Sequence, residues 1–480
     1  MKLDRSDDLS RLHWRTVLII LAAAILVLAG SAAIAFVHPA VPFAIIVGLI
    51  AGAIVMSKIE YGMYAVIAII VLLPFGALPL NIGFNPTFLD LALVAVYAMW
   101  FARLMTRQDE QRLALTSLGL LVLTFWILAI FSFIAGTAYA PVTTQVLRQF
   151  VEVLAAIAFF FVIINIVHTR EMLARLITAL IVAGFISATL GIVLYLLPHD
   201  VSIFLLSALR VFKYPTGDRV LRFINDDPAN PMRATSTSVD PNVLGGLLIL
   251  VTALTVPQLF AEKPLLPRKL VIVIVGTMLI CMVLTFSRGS LLGLMLALIV
   301  IATVRYRPII ALAMLAVIVV LFLPMTQDYV GYFIDAFTAG DRSTQMRLGE
   351  YKDALTLISR YPFFGVGFGG SPDVDTYLGV SSVYLLMAEE MGLVGLSVFL
   401  ITMGTFFYQT VQAWFACIRQ DKFLAPILLG IGGALLGAMI GGLVDHYFFN
   451  LQFTHSVVLF WLYVGLGIVA IRLGTQAESS

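Results

Sequence analysis

Three arginines stand where an apolar chain turns hydrophilic, and each has neighbours suited to holding an anion. Arg288 lies in Thr285-Phe286-Ser287-Arg288-Gly289-Ser290, a tight break between two apolar runs in which Gly289 permits a close turn. A guanidinium stays charged and meets phosphate oxygens two at a time, so this position suits a lipid phosphate. An arginine that only snorkels to headgroups would have the same surroundings. Arg233 opens the segment Arg233-Ala-Thr-Ser-Thr-Ser-Val-Asp240-Pro241-Asn242. There Asp240 reads as a helix N-cap with Pro241 in the first turn. Capping leaves Arg233 unused, which makes it a ligand candidate. Arg347 begins a stretch in which Leu348, Tyr351, Leu355 and Ile358 recur at helical spacing, ending before Pro362. The pattern predicts an amphipathic helix over 347–360 lying on a membrane interface. The field at its N-terminus would add to the attraction of Arg347 for a phosphate, while Lys352 and Arg360 read as solvent- or lipid-facing.

Gly365-Val-Gly367-Phe-Gly369-Gly370 follows. It lacks the Lys-Ser/Thr of a nucleotide loop and reads as a flexible turn that admits a substrate close to the backbone. For proton transfer the hydrophilic regions offer Glu389, Glu390 and the pair Asp445-His446. That pair reads equally as an interfacial histidine hydrogen-bonded to its neighbour or to lipid.

The elements that must carry these residues are membrane helices. Of 480 residues, 61% are hydrophobic and 12% charged, more apolar surface than a soluble domain can hide. A bilayer core needs about 20 apolar residues per helical span. Such runs lie near 17–37, 41–56, 61–78, 88–104, 113–135, 150–167, 176–197, 242–260, 270–286, 289–304, 309–323, 393–411, 423–444 and 453–471. Continuous apolarity argues for helices over the alternation of barrel strands. The expected fold is all-α, a polytopic integral membrane protein of about 12–14 transmembrane helices with two long external loops. N-terminal helices occupy 1–197, a first external loop 198–241, central helices 242–325, a second external loop with its amphipathic helix 326–392, and C-terminal helices 393–480.

Lysines and arginines of short loops collect on the cytoplasmic side. With the N-terminus inside, inner segments hold Arg5, Lys58, Arg103, Arg170, Lys263, Arg305 and Lys422, among others. Both termini are then cytoplasmic, and the long loops lie outside with Arg233, Arg342 and Arg347. Arg148 and Arg288 fall at short outer turns against this rule, which marks both for function. The first span, at about 21 residues, exceeds a signal-peptide h-region of roughly 7 to 15, so an uncleaved helix is expected. Cys281 and Cys417 lie at different depths and are not expected to pair, and no metal site is indicated. The net charge of +2 follows from topology and gives no reason to expect nucleic acid. Span middles are nearly free of ionisable groups, unlike those of ion-coupled pumps and channels, and no internal repeat of the transporter kind is visible. The chemistry is expected at the outer rim.

Taken in order, three features resemble the bacterial O-antigen ligase and polymerase family. They are Ser287-Arg288-Gly289 between two spans, Arg347 before Pro362-x-x-Gly365-x-Gly367, and Tyr384-Leu385-x4-Glu390-x-Gly392-x2-Gly395. Arg233 through Asn242 also looks like that family's arginine-rich entry to the preceding helix. The resemblance runs from Arg233 to the last span. It implies a metal-independent glycosyltransferase without a cofactor, acting on the outer face of the plasma (inner) membrane in surface polysaccharide synthesis. The implied donor is a polyprenyl-pyrophosphate-linked glycan and the acceptor a glycan or lipid-linked acceptor, with polysaccharide-export or chain-length proteins as further partners. An acceptor hydroxyl displaces pyrophosphate at the anomeric carbon, so arginines would stabilise the leaving charge and a basic group would take the proton. The resemblance implies that Arg288 and Arg347 hold the pyrophosphate and that Glu390 orients the acceptor. Arg233, Arg342, Asn242, Tyr384 and His446 are the further substrate-binding positions.

One departure matters. Ligases of this family carry His-Asn immediately before the x-Tyr-Leu stretch, where this chain has Ser381 and Ser382. A serine does not act as a base at neutral pH without help. Polymerisation is therefore favoured over ligation, and Glu390, Glu389 or His446 would have to serve as base. A lipid-linked oligosaccharide flippase or other transporter, and a non-catalytic member of the family, are the alternatives. A flippase would set its arginines along a central cavity reaching both faces.

Overall fold

A computed structural model describes residues 52–79, 84–106, 116–307, 342–373 and 379–478. The spans expected at 17–37 and 309–323, and most of that at 41–56, lie outside the described residues. Two compact units divide the chain, 1–62 and 63–480. The named helices are α1 (Ile59–Leu72), α2 (Phe88–Met105), α3 (Ser117–Gly136), α4 (Thr144–Ile166), α5 (Arg170–Leu196), α6 (His199–Ala208) and α7 (Pro241–Thr255). They continue with α8 (Arg268–Leu284), α9 (Arg288–Val304), α10 (Arg342–Arg360), α11 (Val383–Gln420), α12 (Leu424–Gly441) and α13 (Thr454–Glu478). Among the described residues the sheet content is a single antiparallel pair, β1 (Arg222–Phe223) with β2 (Met232–Arg233). Among the described residues eight helices are long and apolar enough to cross a membrane, with α1 and α9 as shorter apolar ones. The protein is an all-α polytopic membrane protein.

Threonine side chains start α2 through α5. Thr87, Thr116, Thr143 and Thr169 each accept a hydrogen bond from a first-turn amide that the helix itself cannot satisfy. The α7 and α13 segments form the centre of the helical array, whereas α2 and α3 keep Leu91, Val94, Phe101, Leu120 and Phe131 exposed, as a lipid-facing wall does. Lipid tails give helices no hydrophobic reason to associate, so small residues that allow close approach must do so. On α9 and α12, Gly289 and Gly293 face Gly437 and Gly441 at every fourth residue. A Cβ on Gly293 would meet the Gly437 carbonyl oxygen at 2.5 Å, and one on Gly289 would meet Val444 Cγ2 at 2.5 Å. This contact fixes the turn after α12 beside Arg288.

Helix α11 breaks at Gly392, which has φ 68°. A broken helix exposes backbone groups that lipid cannot satisfy, and the Pro362-to-Gly367 segment supplies their partners. Leu393 N donates to Pro362 O at 2.8 Å and Val394 N to Phe363 O at 3.2 Å. In return, Val366 N and Gly367 N donate to the carbonyls of Glu389 and Glu390 at 2.8 and 3.0 Å. Gly365 and Gly367 both have positive φ, and a Cβ on Gly367 would strike Gly136 at the end of α3. The close backbone approach that these glycines permit is thus made to α3 and α11, where the sequence suggested a substrate. The break falls at the expected end of the second loop, so Tyr384 and Glu390 lie on helix ahead of it.

Polar contacts sort the turns into two ends. At one end Arg170 pairs with Asp421 at 2.6 Å, Lys422 pairs with Glu262 at 2.5 Å, and Arg472 donates to the carbonyls of Ile164 and Val167. At the other, β2 meets the α8–α9 turn, α10 meets the turn after α12, and the glycine loop meets the end of α3. The residues with chemistry lie at this second end.

Candidate functional site

Arg233 ties two segments together with one guanidinium. Its Nε donates to Thr285 O at 2.8 Å and its Nη2 donates to Asn242 Oδ1 at 2.8 Å. Ala234 N adds a bond to Leu284 O at 2.8 Å. Asp240 caps α7 as the sequence indicates, accepting from Asn242 N at 2.7 Å and Val243 N at 3.3 Å. Asn242 therefore orients Arg233. The chain between them is tightly wound, with φ 52° at Ser236 and φ 60° at Val239, and for a β-branched valine that is a genuine outlier. Strain of this kind persists only where surrounding contacts hold it. Here Arg222 Nε donates to Val239 O at 3.3 Å.

Arg288 opens α9. Behind it Ser287 Oγ donates to Ser290 Oγ at 2.9 Å, and Ser290 Oγ shares a hydrogen bond of 3.2 Å with the Tyr447 hydroxyl. This buried hydroxyl chain joins the arginine's helix to the turn after α12.

Helix α10 begins at Arg342, earlier than the apolar spacing indicates, because a polar first turn adds nothing to that pattern. The side chain of Arg342 lies outside the described residues. Tyr351, expected on the apolar stripe, donates its hydroxyl to Leu443 O at 3.2 Å and Ser381 O at 3.3 Å. Its neighbour Glu350 accepts from Ser381 N at 2.9 Å and Ser381 Oγ at 2.7 Å. The serine at the position where a histidine was sought is thus doubly bound to a carboxylate.

These pieces meet at Asp445 and His446. Asp445 is buried, and its carboxyl is pushed up to about 7, first by burial and then by Asp240, with Arg347 and Arg233 acting against both. Two arginines from separate elements therefore act on one carboxyl. Burial also lowers the pKa of His446 below the ordinary histidine value; Glu350, Asp240 and a hydrogen bond to the Val380 backbone oppose it, and Arg347 reinforces it. His446 Nδ1 is buried with no hydrogen-bond partner among the described residues. The bond to Val380 then falls to Nε2, and the neutral ring keeps its lone pair on Nδ1. A proton acceptor stands within the field of Arg347, next in sequence to the carboxyl on which Arg233 and Arg347 both act.

Two expected site residues lie elsewhere. Glu390 is buried in α11, with its carbonyl accepting from Ser132 Oγ and Gly367 N. Among the described residues the charged group acting on its carboxyl is Glu389. Tyr384 donates its hydroxyl to Met439 O at 2.7 Å, a helix–helix contact. Arg233, Asn242, Arg288, Arg347 and His446 gather around the turn after α12, while Tyr384 and Glu390 sit on the packed side of α11. Sequence reasoning missed Glu350, whose signal was its place three residues after Arg347, on the same helical face.

The fold and this site define a polytopic membrane protein with an arginine-rich polar centre at one end of its helices. Residues 273–400 match the family model described as O-antigen ligase, which bears out the resemblance to the O-antigen ligase and polymerase family. The match contains Arg288, Arg347 and Ser381, and Arg233 and His446 fall outside it. It supports an O-antigen ligase/polymerase-type membrane function. No curated protein matches the chain.

Proposed function

We propose that this protein is a metal-independent membrane glycosyltransferase that extends or transfers a polyprenyl-pyrophosphate-linked oligosaccharide on the outer face of the plasma membrane, with polymerisation favoured. The observation that carries this reading is the action of Arg233 and Arg347 on the buried Asp445, next in sequence to His446, on which Arg347 also acts. Arg233, Arg347 and Arg288 hold the pyrophosphate. The acceptor hydroxyl oxygen bonds to the anomeric carbon, the bond from that carbon to the pyrophosphate oxygen breaks with its electron pair, and the hydroxyl proton passes to His446 Nδ1. The guanidinium groups stabilise charge as it develops on the leaving group. Protonated Asp445 adds no negative charge beside them. Glu350 and Ser381 position the strand of chain that holds His446 through Val380.

The transporter alternative calls for arginines spread between both faces of a cavity. Arg233, Arg288 and Arg347 gather at one end, which favours transfer chemistry. Purified protein supplied with a polyprenyl-pyrophosphate oligosaccharide should lengthen the glycan and release lipid pyrophosphate, and Arg347→Lys should slow both without loss of folded protein. Equal rates in wild type and variant would make Arg347 an interfacial anchor. The outer-face assignment has its own test: cysteines placed at Thr216 and Ser371 should react with an impermeant reagent in intact cells, and labelling only after permeabilisation would overturn it.

A further inference from the structure

A cavity of about 400 Å3 opens between the chain before α2, the start of α4 and the start of α13. Its wall combines the rings of Phe75 and Phe84 with the side-chain amides of Asn85, Gln145 and Gln149. Arg148, one of the two arginines that break the charge rule, also lines it. Its Nε pairs with Glu152 Oε1 at 2.6 Å, its Nη2 lies 3.4 Å from Asp90 Oδ2, and its guanidinium sits 5.2 Å from the Phe84 ring centroid. Thr454 Oγ1 donates to the other Glu152 oxygen at 3.3 Å. One guanidinium set between two carboxylates leaves no surplus positive charge for a pyrophosphate.

Amides that both donate and accept, next to aromatic faces, suit hydroxyl-rich rings with apolar C–H faces. His455 adds a buried Nε2 with no hydrogen-bond partner among the described residues. Phe453 connects this cavity to the arginine site, with ring centroids 6.3 Å from Phe75, 6.2 Å from His455 and 5.9 Å from His446. A bound sugar chain would therefore end one aromatic ring away from the proton acceptor.

We infer that this cavity binds the acceptor: it takes the uncharged oligosaccharide of the second substrate and presents its terminal hydroxyl past Phe453 to His446. The inference rests on the transferase reading above. Its test is direct binding to the full-length protein in nanodiscs, with two probes. One is the lipid-free oligosaccharide released by mild acid from the producing cell's own polyprenyl-linked glycan, and the other is sugar-free polyprenyl pyrophosphate. Gln149→Ala and Phe84→Ala should each weaken the oligosaccharide about 3- to 10-fold, the size of one or two lost contacts, and leave the lipid pyrophosphate unchanged. Arg347→Lys should do the reverse. A wild type that fails to bind the oligosaccharide, or cavity variants that bind both probes as the wild type does, would overturn the inference. Failure of the transferase reading would look different, as oligosaccharide binding at the cavity without glycan transfer.

Discussion

Arg148 and Arg347 lie at the same end of the helices, and their company separates them. Arg148 is closed between Glu152 and Asp90 beneath an aromatic ring. Arg347 shares with Arg233 one carboxyl, Asp445, that burial keeps protonated up to about 7. The first arginine is paired with two carboxylates at salt-bridge distance, whereas the second acts on a carboxyl that is neutral below about 7. An arginine's chemistry is read from what compensates it rather than from its position. By that criterion one polar region suits sugar hydroxyls and the other suits pyrophosphate.

The largest effect that could break this division concerns the base. His446→Gln keeps the ring's volume and a hydrogen-bonding tip but loses the acceptor nitrogen, so turnover should fall by about 10²- to 10⁴-fold with lipid-pyrophosphate binding retained. A loss of only a few-fold in steady-state assays would leave catalysis to the arginines alone. Next come Arg233→Lys and Arg347→Lys, which keep charge and lose the paired donors; each should lower donor kcat/KM on the order of 10- to 100-fold. Arg148→Lys, read in the same assay, should leave donor KM unchanged, and a matching donor defect there would erase the distinction between the two regions.

Smaller effects follow from pH. Asp445 is protonated below about 7 and gains a negative charge above it. Donor affinity should therefore fall a few-fold as pH rises through about 7, and Asp445→Asn should remove that dependence. The lowered pKa of His446 runs the other way, since a neutral ring accepts the proton. The acid limb of the rate profile should accordingly lie below the ordinary histidine range. The smallest expected effect is that of Tyr384→Phe, which removes the bond to Met439 O. It should cost about 1 kcal/mol of stability in a denaturation series, with kinetics unchanged.

The sequence exposed the helices because apolar runs of span length are local signals. It also exposed Asp240 as a cap, because capping is written within a few residues. The starts of α4 and α5 were placed late, since Thr144, Gln145 and Arg148 in the one and Arg170 with Glu171 in the other make openings that do not read as apolar. The role of Pro362 to Gly367 was hidden for a different reason. Its partners, Glu389 to Val394, meet it only after the chain returns, and no spacing announces a backbone splice across a helix break. Gly289 reads in the sequence as permitting a close turn, and its packing with Gly293 against α12 does not show there. Within the site, Arg288 was legible as a charge out of place, Arg233 as an arginine that capping leaves unused, and Arg347 as the start of an amphipathic helix. The joint action of Arg233 and Arg347 on Asp445, and the hold of Glu350 on Ser381, depend on segments that meet only in the fold.

The most direct test of the shared leaving-group site is a double-mutant cycle on donor kcat/KM with Arg233→Lys, Arg347→Lys and the combined variant. Two arginines gripping one pyrophosphate should couple, so the combined loss should depart from the sum of the single losses by well over the error of the cycle. Simple additivity, or single variants as active as wild type, would mean that the two guanidinium groups do not share a ligand.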